Sequence, residues 1–265
     1  MVSHLTVKRK NSRLQVRYIK FSTIGIYGII TLRKGLRFMS YPQNYARANC
    51  MCSEYAEIAF RNYFDVKQKC LTYKITEFDF DIFHEAHLLN QKAIVTVVFA
   101  QMSIESFLND YAAACLGDDE FYDNFDKLDF ISKLQLIVKF ILQDTLDKSR
   151  EPYTSLKVLS KWRNSYIHNK SYSIDGSITK FESIEDADYL DAACKMETKY
   201  VKDILHEAES AIKAIIEIVN FFEERDNNTH ATFKFFSFST NPYDLEEAVI
   251  KRELSTLGLK HEIQI

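Results

Sequence analysis

Residues 86–116 read AHLLNQKAIVTVVFAQMSIESFLNDYAAACL, and this stretch decides the fold class. It contains neither Gly nor Pro. Its apolar positions Leu89, Ala93, Val97, Ala100, Ile104, Phe107, Leu108, Tyr111 and Cys115 recur mostly every three or four residues. That interval matches the turn of an α-helix with one buried stripe. Gly117 is placed to close the helix as a C-cap.

Three more helices follow downstream. Asp126 or Asp129 can cap a second one carrying Leu134, Ile137, Val138, Ile141 and Leu142 on one face. Pro152 suits the first turn of a third, which runs through Leu156, Leu159 and Trp162. The fourth spans about Glu185 to Arg225. Its apolar face holds Leu190, Ala193, Met196, Tyr200, Ile204, Ala208, Ile212, Ile215, Ile216, Val219 and Phe222. Asp226-Asn227-Asn228 ends it. Between the third and fourth, residues 171–181 alternate around Asp175-Gly176, a hairpin signal. The expectation is a mainly α chain, an up-and-down four-helix bundle over residues 85–225 with small β additions.

The flanks read differently. Residues 49–84 form a lead-in, with an amphipathic helix from Ser53 to Phe64 and an extended stretch or strand over 73–80. Residues 226–265 are expected as an extension, with a strand over Ala231–Phe238 and a short helix after Asn241-Pro242 to about Leu257. Residues 14–32 are rich in β-branched and aromatic types around Gly25 and Gly28, which predicts a strand or hairpin.

The bulk composition agrees with a helical body. Six Gly and three Pro in 265 residues leave few tight turns, while 20 Phe and 15 Tyr supply core volume. No apolar run approaches the roughly 18 residues of a membrane-spanning helix, so no membrane partner is expected. Five scattered cysteines, an odd number, read as reduced thiols of a cytoplasmic protein. Cys50-x-Cys52 lacks a second pair at zinc-site spacing, and His84 and His87 lack a third ligand, so neither a metal nor a cofactor is expected. Charge is uneven: residues 1–48 hold ten Lys or Arg and no acid, against 24 bases and 37 acids in the rest. This basic arm, β-rich or poorly ordered, suits contact with nucleic acid or a membrane surface. It equally suits a β-rich extension folded on the acidic body, a targeting presequence, or a natural start at Met39.

The chemistry is concentrated in Lys161-Trp162-Arg163-Asn164-Ser165-Tyr166-Ile167-His168-Asn169, at the polar end of the third helix. Arginine recognises phosphate, and histidine moves protons near neutral pH. Asn164 and His168 are four apart and share a helix face, whereas Arg163 lies about 140° round from His168. Trp162, Tyr166 and Ile167 are expected to face the core. Cleaving RNA through its 2′-OH requires proton transfer, which suits His168. It also requires a positive donor for the phosphorane, which suits Arg163. One site supplies one histidine, and a two-fold dimer brings a second. Glu105 and Asn109, four apart on the first long helix, can approach this stretch and pair Arg163. The simpler reading is a helix end whose His and Arg satisfy carbonyls and carboxylates.

The stretch resembles the motif of the HEPN domain, a helical family of toxin and defence ribonucleases. In that family an arginine, often followed by a polar residue, precedes a histidine by four to six intervening residues at the end of the third main helix. Arg163, Asn164 and His168 fit that pattern, and the helix around Glu105 is similar to the glutamate-bearing helix of many members. The resemblance covers residues 85–225. It implies a metal-independent endoribonuclease with RNA as substrate and a composite site at a homodimer interface. His168 would be the proton-transfer residue, Arg163 the phosphate contact and Asn164 the orienting group, with an antitoxin or regulatory protein as a further partner. Lys170 stands where several toxin members carry a tyrosine, and the next tyrosine is Tyr172. Some members bind nucleotides, RNA or proteins without catalysis, which gives the alternative reading of a non-catalytic binding module.

Overall fold

The computed structural model of the chain describes residues 15–18, 29–32, 42, 50–73, 80–168, 187–226, 228–238 and 247–261. It divides into two compact units, Met1–Met39 and Ser40–Ile265. In the first, strand β1 (Gln15–Tyr18) pairs antiparallel with β2 (Ile29–Leu32), with Gln15 opposite Leu32. The described residues of the second unit are helical, with no strand among them.

Two long helices and one of intermediate length make the core: α1 (Cys52–Thr72), α2 (Phe80–Leu116) and the last long helix, Ala187–Glu223. On α2 every stripe position expected from the sequence is buried except Cys115, which is half-buried. Gly117 closes that helix with φ +91°, a backbone conformation that a side chain would strain. A salt bridge joins Lys69 to Glu85 at 3.2 Å, another joins Asp65 to Lys92, and Ser103 Oγ donates to the Cys52 carbonyl at 2.8 Å. Partners that fall along α1 as they rise along α2 make the two antiparallel.

The chain after Gly117 forms α3 (Asp118–Asn124) and then α4 (Phe130–Leu136), with Asp129 Oδ1 accepting from the Ser132 N–H at 3.0 Å as its cap. A π-turn over Ile137–Ile141 extends α4, with the Leu142 N–H bonded to the Ile137 carbonyl at 3.0 Å. Ile137, Val138 and Ile141 of that turn are all buried. Helix α5 (Tyr153–Ile167) starts at Pro152, and Glu151 Oε2 accepts from the Ser155 N–H at 2.7 Å. The long helix Ala187–Glu223 is α6. Phe107 packs on Phe222 at 4.9 Å between ring centroids, and Tyr111 donates to Asp226 Oδ2 at 2.8 Å, so α2 and α6 run parallel.

Four expectations are corrected. The lead-in is more than an approach to the helical body: α1 buries Ala56, Ala59, Phe60, Tyr63 and Val66 and packs against both α2 and α6. Ala231–Phe238 is not a strand, because Ala231–Phe236 forms helix α7. Strand alternation would put Phe233 and Phe235 on one face, yet Phe233 is 63% exposed and Phe235 is buried. Ala231, Thr232, Phe235 and Phe236 are the buried set, a helical spacing, and the Thr232 N–H is held by Glu223 Oε1 at 2.7 Å. Among the described side chains of the α6 stripe, those from Ile204 onward are buried, whereas Met196 is 70% exposed and Tyr200 is also exposed. On α5, Ile167 is exposed and Trp162 and Tyr166 are only half-buried. The expected hairpin over 171–181 lies outside the described residues.

The C-terminal helix α8 (Glu247–Thr256) docks through Glu253, which accepts from both Tyr63 and Lys67 of α1. Phe222 sits at the centre, touching Phe107, Tyr111 and Phe221. Phe222→Ala is expected to cost about 3–5 kcal/mol. Chemical denaturation would show a lower midpoint with an unchanged slope.

Candidate functional site

Helix α5 places the arginine. Pro152, Leu156 and Leu159 form its buried stripe, and Arg163 takes the next position on that face, half-buried. Its Nη1 donates to Asn164 Oδ1 at 3.2 Å. No carboxylate pairs with Arg163 among the described residues. The helix ends at His168, whose backbone N–H bonds the Asn164 carbonyl at 3.0 Å (φ −107°, ψ 39°). The imidazole of His168 is exposed and has no hydrogen-bond partner among the described residues.

Glu105 and Asn109 are drawn together, but by Lys133 and not by Arg163. Lys133 Nζ donates to Asn109 Oδ1 at 2.8 Å and to Glu105 Oε1 at 3.4 Å, and its side chain is only 2% exposed. A buried ammonium requires such partners, and it claims both acceptors. The pairing of Glu105 with Arg163 is thereby corrected. Sequence gave no sign of this competition, since Lys133 interrupts an apolar helix that was read by its stripe alone.

Tyr166 ties the end of α5 to α6 by donating to Glu207 Oε2. Burial, and then that carboxylate, push its hydroxyl well above the usual tyrosine range. Beside this tie a hollow of about 310 Å³ runs between α5 and α6, lined by Thr154, Val158, Trp162, His206, Ser210 and Lys213 among others. The Trp162 and His206 rings stand 6.1 Å apart at 84°. A second hollow of about 290 Å³ continues toward the start of α5. Glu151 and Glu217 line both. Burial, then the neighbouring Glu151 charge, raise the Glu217 carboxyl above its ordinary value. At the far end Lys260 donates to Glu224 at 2.8 Å and holds that carboxyl below its ordinary value.

His206 showed no partner spacing in the sequence because its partner is on another helix. The sequence did place Trp162 beside the arginine, but not at a groove. Among the described residues no group of three or more His, Cys, Asp or Glu is arranged to hold a metal. No helix among them is long and apolar enough to cross a membrane. No family model, no curated protein and no solved structure matches the chain.

The raised carboxyl of Glu217 has a stability consequence. A folded-state value above the unfolded one penalises the charged form, so the penalty is present above the folded value and vanishes below the unfolded value. Glu217→Gln is therefore expected to raise the melting temperature at about pH 7 and to give no gain near about pH 4. Thermal melts of both proteins across that range check the sign.

Proposed function

We propose that the chain is a HEPN-like endoribonuclease acting in defence or growth control. The observation that carries this reading is Arg163. It continues the buried stripe of α5, is half-buried, and pairs with no carboxylate among the described residues. A half-exposed guanidinium with no carboxylate partner keeps its donors available, and a phosphate accepts from such a fork through bidentate hydrogen bonds. His168 lies one turn on, at the helix end, exposed and available to move a proton.

In the reaction, His168 takes the proton of the 2′-OH as its oxygen attacks phosphorus. The bond to the 5′-oxygen breaks, a second histidine protonates that leaving group, and a 2′,3′-cyclic phosphate remains. Arg163 faces the charge that builds on the phosphorane, and Asn164 orients the guanidinium. The second histidine comes from a second copy of the chain. The exposed Ile167, Met196 and Tyr200 near this end of the body support such a homodimer. The directions of α1, α2, α5 and α6 are compatible with an up-and-down bundle. The resemblance further carries an antitoxin or regulatory partner and metal independence, and the scattered cysteines suit a cytoplasmic setting.

The competing reading, a helical binding module in which the pair is structural, requires His168 to support the fold. Its imidazole has no hydrogen-bond partner among the described residues, which favours the catalytic role. Labelled RNA incubated with the protein and a chelator should be cut to products with 2′,3′-cyclic phosphate ends. His168→Ala is expected to lower the rate by about 10²–10⁴-fold. Arg163→Ala should lower it by about 10²–10³-fold. Neither change should move the melting temperature by more than a few degrees. Equal cleavage by wild type and His168→Ala would refute the site.

A further inference from the structure

We propose that the groove between α5 and α6 is a base-binding subsite, in which one nucleobase of a single RNA strand stacks in the corner formed by Trp162 and His206. The inference rests on the ribonuclease reading and names where the strand beside the cleaved phosphate is held.

Four observations carry it. The hollow, about 310 Å³, lies at the small end of ligand pockets and suits one flat ring, not a large cofactor. Its rings stand at 84°, so a flat ligand laid parallel to one meets the other edge-on. That corner offers a stacking face together with an in-plane nitrogen or N–H, a combination that suits a base. Stacking on an aromatic side chain is available to every base and contributes without sequence readout.

Charge then selects the part of a nucleotide. Glu151 and Glu217 line one end of the hollow, and its one lysine, Lys213, is paired with Glu209 at 2.6 Å. No unpaired cation among the lining residues remains to hold a phosphate, so the neutral ring enters and the phosphate stays outside. The phosphate contact assigned above, Arg163, is the next residue after Trp162. Arg163 lies about 100° round the helix from Trp162, so base and phosphate of one strand would be held on adjoining faces of α5. The Tyr166–Glu207 bond pins α5 to α6 beside the groove, so the corner is preformed.

Trp162 is the sole tryptophan of the chain, so its emission reports on this groove alone. The full-length protein is titrated with a short fluorescein-labelled 2′-O-methyl oligonucleotide, which cannot be cut by 2′-OH attack. Trp162 emission should fall saturably, with the midpoint given by fluorescein anisotropy. Trp162→Leu should weaken binding by roughly 5- to 150-fold, and Trp162→Phe by less. Ser210→Phe fills the groove from α6 and should remove the quenching. It also carries the test if Trp162→Leu does not fold. Binding with unchanged Trp162 emission, or wild-type affinity in Ser210→Phe, overturns the subsite and leaves the ribonuclease reading standing. If the oligonucleotide neither binds nor RNA is cut, that reading fails, and adenosine and guanosine alone decide the groove. Quenching that Ser210→Phe abolishes supports it, and no quenching overturns it.

Discussion

Phe107 and Tyr111 of α2 close on Phe222 of α6 with 4.9 Å between ring centroids, and the rest of the body depends on that joint. Aromatic pairs at such separations add about 0.5–1.5 kcal/mol each to the burial of their area. The Tyr111 hydroxyl reaches Asp226 Oδ2, so the one polar atom in the joint is satisfied. With α2 and α6 locked parallel, α1 fills the groove between them in the opposite direction. Phe235 of α7 then caps the same cluster, 5.0 Å from Phe107.

Around this joint, buried charges are answered at short range. Lys133 has Glu105 and Asn109, Asp110 has Lys234, and Glu253 has Tyr63 and Lys67. Each pairing joins different helices, so each also fixes how those helices sit. Leaving a buried charge unanswered costs several kcal/mol, which is why such pairings are the rule. Arg163 is only half-buried, so the rule does not bind it, and its guanidinium donates to Asn164. Glu217 differs again: burial, and then the neighbouring Glu151 charge, make it retain a proton more readily.

The residues that form α2, α5 and the buried part of α6 were legible because their apolar spacing is long and uninterrupted. Asp129 was legible as a cap because a side-chain acceptor before an apolar run has few other uses. The strand reading of residues 231–238 failed because eight residues hold too few turns to distinguish periods, and docking on α1 and α6 decided the outcome. Helix α1 was underestimated for a related reason: the sequence shows its amphipathic face but not that two partners cover it. At the site, Arg163, Asn164 and His168 were visible as neighbours in sequence. The Trp162–His206 corner and the Lys133 claim on Glu105 were not, because both are contacts between helices far apart in the chain.

The lengths of α5 and α6 locate the site on the body. Tyr166 meets Glu207, so α5 ends level with the middle of α6, whose first residue is Ala187. Twenty residues of α6, about 30 Å of helix, therefore run past the end of α5 without it alongside. Met196 and Tyr200 lie on that overhang and are exposed. Arg163 and His168 thus lie beside the middle of α6 and not beside its first residue. In the ribonuclease reading proposed above, an RNA strand meets Arg163 at this level of α6. A second copy covering the overhang would close the other side and bring its own histidine to the same phosphate.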